Sequence, residues 1–227
     1  MDYVTLSFMM LLCFVICIFS SVSLKSTYKK YMKIQNSSHF SGAQVASSIL
    51  RQFGITDVRV EETPGELSDH YDPRSKVVRL SSANYHGTTI AAVSVAAHEC
   101  GHAIQHATGY VPVVIRSNMV PVVNFANKVS YGLFGLSLFI NNYEAVLKIA
   151  FIVLFLSFLY QVVTLPVEFN ASKRALKILN SSNVLQAQEM KGSKKVLKAA
   201  AFTYVAGMLY SLMQVLRILS VLNRRDS

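Results

Sequence analysis

Charged residues are scarce in this chain of 227 amino acids: they make up 15% of it, while hydrophobic residues make up 52%. That balance is typical of a membrane protein rather than of a soluble domain. Acids are the scarcer charge, with 12 Asp and Glu against 22 Lys and Arg, which gives a net charge of +10. The basic residues lack the aromatic-interleaved, groove-reading pattern of a nucleic-acid binder, so we expect no nucleic-acid partner.

Cysteine is also rare. Cys13 and Cys17 lie in a long apolar run near the start of the chain, and Cys100 lies in an alanine-rich segment. No pair is placed to cross-link an extracellular domain, which fits a reducing compartment. Cys100 stands among small residues, where packing is a more common role than nucleophilic attack.

Long uncharged runs predict helices that cross a membrane. The clearest are residues 4–24 and 149–167, each long enough to span a hydrocarbon layer about 30 Å thick. Residues 199–216 are a third candidate. Residues 119–140 are a fourth and weaker one, with a buried core helix as the alternative, because the run contains Lys128 and several helix-interrupting or polar residues.

The first run is interpreted as an uncleaved signal anchor, because no basic region precedes it and its apolar core is too long for a cleaved signal. Basic residues near a span favour the cytoplasmic side. Four of them follow this run: Lys25, Lys29, Lys30 and Lys33. We therefore expect an integral, multi-pass protein of a bacterial plasma membrane, with its N-terminus outside. Arg224 and Arg225 argue against four complete crossings.

The one long polar section of the chain predicts a helix, strands and a second helix. Ser41 is a candidate cap for a helix that ends near Gly54. The segments "ITDVRVEE" and "KVVRLS" favour short strands, with turn residues "TPGE" after the first. Thr88 or Thr89 is a candidate cap for the second helix, whose apolar residues recur at helical spacing and which stops at Gly109.

The second of these helices carries the sequence "HECGH". His98 and His102 are four residues apart, so both imidazoles project from one helix face and can reach one metal ion. In an H-E-x-x-H helix the glutamate, here Glu99, serves the metal-bound water rather than the metal. Gly101 permits close packing behind the motif. His106, one turn further along, is expected to be a polar neighbour rather than a ligand.

A catalytic zinc ion needs a third protein ligand and an open position for water. Glu168 is the leading candidate, in "LPVEFNASKRAL", where Pro166 is expected to end one helix and Glu168 to lie in the first turn of the next. The alternative is that Glu168 only complements the dipole of that helix. Four acids closer in sequence compete with it: Glu62, Glu66, Asp69 and Asp72.

Membrane topology restricts this choice. If His98, His102 and Glu168 share one ion, the chain between them crosses the membrane an even number of times, so residues 119–140 and 149–167 form a hairpin. Its tip, "NNYEAVLK", has no excess of basic residues, whereas three basic residues follow Glu168 within ten positions. This charge distribution favours an active site that faces the cytoplasm.

Two quoted segments carry a resemblance to a known family. "HYDPRSKVVRLSSANYHGTTIAAVSVAAHECGHAIQHATGY" together with "LPVEFNASKRAL" resembles the YugP-like family of neutral zinc metallopeptidases, over nearly the whole chain. The resemblance implies a membrane-bound zinc-dependent peptidase in which His98, His102 and Glu168 bind one zinc ion and Glu99 is the catalytic acid/base. The order of motif helix, membrane hairpin and later glutamate is also similar to that of the HtpX and CAAX-processing membrane proteases. The chain departs from the family pattern at Asn170, where Asp is usual.

The expected function is therefore hydrolysis of bonds in a peptide or protein substrate by a zinc-activated water, with Glu99 transferring its proton to the leaving amine. The strand "KVVRLS" is a candidate partner for an extended substrate. Tyr85, His86 and Arg174 are candidates for oxyanion support, although surface and capping roles are common for each. Two alternatives stay open: a noncatalytic membrane scaffold with a structural zinc, and a zinc hydrolase that acts on a lipid or another amide.

The predicted architecture is mainly α. It combines a zincin-like α+β metalloprotease core, containing the motif helix and a small edge sheet, with about four transmembrane helices. We predict five segments: residues 1–24, the anchor; 25–116, the zinc-binding region; 117–167, the transmembrane hairpin; 168–198, a helix with the third ligand; and 199–227, a C-terminal transmembrane helix and tail.

Overall fold

The computed structural model describes residues 3–136 and 143–223. Within these ranges the protein is mainly helical and has one small sheet. The helices are α1 (Tyr3–Tyr31), α2 (Gly42–Gln52), α3 (Ser82–His86), α4 (Ile90–Ala107), α5 (Val111–Leu136), α6 (Tyr143–Ser181) and α7 (Ala187–Asn223). The strands are β1 (Arg59–Thr63), β2 (His70–Asp72) and β3 (Val77–Ser81).

Three segments of the described helices are long and apolar enough to cross a membrane. They are Val4–Tyr31, Glu144–Ser181 and Ala187–Asn223, in α1, α6 and α7, and they contain the three clearer predicted runs. Many of their apolar side chains are unburied, as at Phe8, which is 67% exposed. Such apolar surface is stable in contact with lipid, which has no hydrogen-bonding requirement to meet.

The fourth predicted crossing, residues 119–140, lies in α5 as far as Leu136. Helix α5 is not among the three candidate spans in the described ranges, so the prediction of about four transmembrane helices is not confirmed. The end of this run, the first residues of the predicted hairpin tip at 141–142, and Arg224 and Arg225 lie outside the described residues.

Helices α1 and α7 pack side by side and run in opposite directions. The rings of Phe14 and Tyr210 lie 6.2 Å apart, while the other end of the pair joins Tyr31 to Gly192. A Cβ added at Gly192 would lie 2.5 Å from the Tyr31 ring, so only glycine allows this close approach. The apolar stretches of the two helices therefore begin at the same level.

The first predicted helix of the polar section is confirmed as α2. Ser41 caps it: the Oγ of Ser41 accepts from the Gln44 backbone N–H, and the Gln44 side chain accepts from the Ser41 N–H at 2.8 Å. This reciprocal pair satisfies two N–H groups that a helix start otherwise leaves open. Gly54 follows the helix with a φ of +68°, a conformation that glycine adopts without strain.

The motif helix is confirmed as α4. Thr89, not Thr88, caps it, because the Thr89 Oγ1 accepts from the Ala92 N–H while Thr88 contacts Gln35. Gly109 follows the helix with a φ of +60°. The small residues of α4 pack against α2 and α6, and most of them are fully buried.

The sheet has the strand order β1-β3-β2, with β1 parallel and β2 antiparallel to β3. The two predicted strands are present as β1 and β3. Strand β2 was not predicted, since three residues with two polar side chains give no periodic pattern. Because β3 lies between two neighbours, both its edges are already paired, and the prediction that it pairs with a substrate is wrong.

Helix α6 is continuous through Pro166, which corrects the expectation that one helix ends there and another begins. Proline removes one backbone N–H and leaves the carbonyl of Val162 without its usual partner. Long helices with apolar surroundings tolerate this, because neighbouring groups and local adjustments satisfy the backbone. Glu168 is therefore inside a helix rather than in its first turn, so the dipole-capping alternative does not apply.

Candidate metal centre

Three side chains from two helices converge beside the sheet. His98 and His102 are on successive turns of α4, and Glu168 is on α6; one ligand atom from each lies within 4.8 Å of the others. The Nε2 of His98 lies 3.3 Å from Glu168 Oε2, and the Nε2 of His102 lies 3.6 Å from the same oxygen. Glu168 is only 2% exposed.

A close contact between α4 and α6 makes this convergence possible. Gly101 lies between the two histidines and faces Ala171, where an added Cβ would lie 2.8 Å from the backbone oxygen. A larger side chain would force the helices apart, because backbone atoms cannot yield as a flexible side chain can. The Gln105 side chain also donates to the Val167 carbonyl at 2.8 Å, immediately before Glu168.

Gln105 sets the tautomer of His102. Its Nε2 donates to Val167 and to Asn170 Oδ1, at 2.8 and 3.1 Å. Its Oε1 is therefore the acceptor for His102 Nδ1, which lies 3.0 Å away and carries the proton. The Nε2 of His102 is therefore unprotonated, and its lone pair is directed at Glu168. A neutral imidazole of this kind is the form in which histidine binds a metal.

His98 is held in a similar way, with its Nδ1 3.2 Å from the Ser172 hydroxyl oxygen, which can accept a hydrogen bond from the ring N–H. Two imidazole lone pairs then face one carboxylate oxygen, and a cation satisfies all three acceptors. Ligands about 2.0–2.2 Å from a tetrahedral zinc ion are about 3.4 Å from one another. The two His–Glu168 distances of 3.3 and 3.6 Å match that spacing, and all three ligand atoms lie within 4.8 Å of one another, so the residues present fit zinc.

The second oxygen of Glu168 is held by a cation from α5. Arg116 Nη1 donates to Glu168 Oε1 at 3.1 Å, and Arg116 Nε donates to the Tyr160 hydroxyl at 3.4 Å. This pair fixes the carboxylate so that Oε1 faces Arg116 and Oε2 faces the histidines. A buried carboxylate with an oriented second contact is typical of a ligand that is held before the metal arrives.

Glu99 lies on the same cavity and is not one of the three converging groups. It is 8% exposed. Burial raises the pKa of its carboxyl to about 7; the nearby Glu168 carboxylate adds to this rise, while His98 opposes it. A backbone hydrogen bond from Tyr71 in β2 also opposes the rise. Glu99 is thus separated from bulk water by β2 but open to the metal centre.

The cavity at the centre has a volume of about 240 Å³. Besides the two histidines and the two glutamates, it is lined by Asp69, His70, Tyr71, Pro73, His106, Val113, Arg116, Ser117, Val120 and Tyr204. Sequence reasoning missed Arg116 and Tyr204. Arg116 gave one usable signal, as a lone charge in an apolar stretch, whereas nothing distinguishes Tyr204 in a long apolar helix.

The three candidates for oxyanion support lie elsewhere. Tyr85 packs against the hydrophobic core, and His86 pairs with Glu62 at 3.1 Å. Arg174 Nε donates to Asn170 Oδ1 at 2.8 Å. None of the three lines the cavity. The expectation about these residues is corrected: they have structural contacts instead.

The four competing acids either accept hydrogen bonds from other groups or are exposed to solvent. Asp69 accepts from the backbone N–H of Ser81 at 2.8 Å and from the Asn84 amide at 2.9 Å. Asp72 accepts from Ser75 and from the Arg74 backbone, which lowers its pKa to about 2. Glu62 bonds to His86, and Glu66 is exposed. In the described part of the chain, Glu168 alone among the acids joins the two histidines as a possible metal group.

Two further residues of α4 occupy the places that were expected of them. His106 lies at the cavity with its Nδ1 3.3 Å from the Tyr71 hydroxyl, and it is outside the three-residue group. Cys100 points away from the cavity, with its Sγ 3.6 Å from the Ala46 carbonyl. Burial raises the pKa of this thiol, which keeps it in the unreactive protonated form.

Fold and site together define a class: a mainly helical protein with candidate membrane spans and a His-His-Glu cluster that could hold a metal ion. Comparison with known proteins makes this specific. The chain belongs to the family described as "Putative neutral zinc metallopeptidase", whose model matches residues 6–223.

One curated relative is the "Putative membrane protease YugP" of Bacillus subtilis (strain 168). It is 45% identical over 203 residues, which cover 89% of this chain and 90% of the relative. No solved structure matches the chain. The zincin-like core therefore stays a prediction, while the family resemblance noted from the motifs is confirmed.

Proposed function

We propose that the protein is a membrane-bound zinc peptidase that hydrolyses peptide bonds. The observation that carries this proposal is the convergence of three lone-pair donors, His98, His102 and Glu168, on a cavity that Glu99 also faces. The family to which the chain belongs is named for neutral zinc metallopeptidases, and a relative is named as a membrane protease. Both names support the proposal.

His98, His102 and Glu168 would hold one zinc ion. When bound, zinc supplies a Lewis acid that activates water and polarises a carbonyl. The protein orients these ligands through Gln105, which contacts His102, and Arg116, which contacts Glu168. Three protein ligands leave one tetrahedral position open, as hydrolytic zinc sites require, whereas structural sites are closed by four.

Glu99 is the residue we assign to proton transfer. Its carboxylate borders the cavity, so it can accept a proton from the attacking water and deliver it to the leaving amine. Burial beside β2 keeps bulk water from competing for that proton. The side chains that line the same cavity, Arg116 and Tyr204 among them, replace Tyr85, His86 and Arg174 as candidates for oxyanion support.

An extended peptide would pair with β2. Strand β2 forms an edge of the sheet, and His70 and Tyr71 line the cavity. Adding a strand at such an edge recognises the peptide backbone through main-chain hydrogen bonds, with little dependence on side-chain sequence. Helix α4 contacts β2, so a peptide paired with β2 would lie near Glu99.

We further propose that α1, α7 and a hairpin of α5 and α6 cross the membrane, so that the chain crosses twice between His102 and Glu168. The metal centre then faces the cytoplasm, as the basic residues after α1 favour. The five segments predicted from the sequence are part of this proposal. A cysteine at Gln52, an exposed position on α2, should resist an impermeant thiol reagent in intact cells and react after permeabilisation. Labelling in intact cells would place the centre outside.

The experiment on function uses full-length protein and an unstructured peptide library, with cleavage products identified by mass spectrometry. Activity should disappear with a chelator and return with zinc. Glu99→Gln should bind zinc as the wild type does but lose turnover, because only proton transfer is damaged. Glu99→Gln protein that cleaves at the wild-type rate would refute the assigned role. Zinc binding without any cleavage by the wild type would favour the scaffold, and products from lipids alone would favour a lipid hydrolase.

A further inference from the structure

Another cavity, lined by lysines and apolar residues, lies where α1 and α7 leave the apolar region, and its volume is about 380 Å³. It is lined by three lysines, two hydroxyl residues and three apolar or aromatic residues: Lys30, Lys195, Lys198, Ser23, Thr27, Tyr31, Ala199 and Phe202. We propose that this cavity binds the phosphate-bearing headgroup of an anionic phospholipid.

The position of the cavity along the helices supports this proposal. Because α1 and α7 run in opposite directions, their polar ends coincide, as the contact of Tyr31 with Gly192 shows. Ser23 and Phe202 lie on the apolar side of the cavity, and Lys30 and Lys195 lie on its polar side. If both helices span the bilayer, the cavity is at the depth of lipid headgroups.

Charge gives the second argument. Three lysines from two helices line one cavity, and in the described ranges no carboxylate forms an ion pair with any of them. The one acid at the start of α7, Glu189, is engaged at both oxygens by Ser37. Like charges gathered in this way repel one another, and a phosphate anion removes that repulsion while it accepts their hydrogen bonds.

The cavity wall selects a lipid over a free phosphate ion. Phe202 is 39% exposed at the cavity, and Lys30 lies over the Tyr31 ring at 5.9 Å from its centroid. An inorganic anion gains nothing from the exposed apolar ring, whereas the glycerol backbone and acyl chains of a lipid would cover it. Basic pockets between membrane helices are a known way for proteins to bind anionic headgroups.

The test counts bound lipid on full-length protein by native mass spectrometry, from micelles that contain equal amounts of phosphatidylglycerol and phosphatidylcholine. The wild type should retain phosphatidylglycerol in preference to phosphatidylcholine. Replacing Lys30, Lys195 and Lys198 together by Gln should weaken phosphatidylglycerol binding on the order of a hundredfold, since each lysine near a membrane surface contributes about fivefold. Replacing the same three by Arg should keep the preference.

The matched control replaces Lys25, Lys29 and Lys194 by Gln, which removes the same charge from the same two helices but from outside the cavity. This variant should bind phosphatidylglycerol within a few-fold of wild type. Equal loss in both triple variants would overturn the proposal in favour of diffuse charge attraction. Displacement of the lipid by inorganic phosphate at matched concentration, or equal retention of phosphatidylcholine, would also overturn it. Zinc content serves as the folding check for every variant.

Discussion

Helices α4 and α6 contribute to the candidate metal centre in different ways. Helix α4 places His98 and His102 on one face through the four-residue spacing alone, so any regular helix with this sequence brings the two imidazoles together. Helix α6 places Glu168 there only because it packs closely against α4, at the contact between Gly101 and Ala171. The first pair is a local property of the sequence, and the third group depends on tertiary structure.

The groups that orient the ligands also depend on the contact between α4 and α6. Gln105 is on α4, but it acts on His102 only because its amide is fixed by Val167 and Asn170 of α6. A half-site of two histidines would bind zinc weakly, and the packing of α6 completes it. The predictions below separate the local contribution from the tertiary one, from the largest expected effect to the smallest.

Removal of a histidine should have the largest effect. In His98→Ala the zinc affinity should fall by more than the roughly 10- to 100-fold that is typical when a residue contacting a ligand is removed. Peptidase activity should fall below detection. Zinc content after dialysis against a metal buffer measures this. The control is His86→Ala, which removes an exposed histidine that pairs with Glu62. Similar zinc loss in both variants would mean that the metal is bound elsewhere.

Widening the contact between α4 and α6 should have the second largest effect. Gly101→Ala puts a Cβ 2.8 Å from the Ala171 oxygen, so α4 and α6 must separate, at about 1–3 kcal/mol of stability. Zinc affinity and activity should fall although every ligand is retained. Gly207→Ala is the matched control on α7, because its Cβ would meet nothing closer than 3.9 Å. Unchanged zinc affinity in Gly101→Ala would show that the centre tolerates displacement of α6.

Loss of the orienting amide should have a moderate effect. Gln105→Met keeps the volume but removes the acceptor for His102 Nδ1, so the ring is free to adopt the other tautomer. We expect zinc affinity to drop about 10- to 100-fold, as measured by competition with a fluorescent chelator. Gln52→Met, at an exposed position, controls for the substitution itself. Wild-type zinc affinity in Gln105→Met would show that Gln105 is not needed to orient His102.

The smallest effect should come from replacing Asn170 by aspartate. Asn170 Oδ1 accepts from Gln105 at 3.1 Å and from Arg174 at 2.8 Å, and an aspartate oxygen can accept both. Asn170→Asp should therefore keep activity and raise stability by at most about 1 kcal/mol through the ion pair with Arg174. Thermal unfolding of the purified protein measures the gain. A large loss of activity would show that the amide nitrogen of Asn170 is needed.

Local patterns predicted the local features of this fold well. The caps at Ser41 and Thr89 and the ends at Gly54 and Gly109 depend on the residue and its near neighbours, and the structure confirms them. Strand β2 depends on pairing with β3 rather than on its own three residues, so its sequence gave no signal.

Features that depend on distant contacts were harder to predict. Pro166 suggested a break because local rules ignore the contacts that α6 makes with neighbouring helices. Arg116 reaches Glu168 from a third helix, which spacing within a helix does not reveal. Glu168 itself was identified through chemical need and family resemblance, and no helix periodicity pointed to it. The prediction that β3 pairs with a substrate was wrong for the same reason, since the order of strands in a sheet depends on tertiary contacts.

The most direct test of the central claim, that α6 completes a zinc site begun by α4, is the zinc affinity of Glu168→Gln. Its matched controls are Glu62→Gln and Asp72→Asn, which neutralise acids that compete for the same role. We predict that Glu168→Gln weakens zinc binding by more than roughly tenfold and abolishes peptidase activity, while both controls bind zinc as the wild type does. Stoichiometric zinc with unchanged affinity and normal activity in Glu168→Gln would contradict the claim.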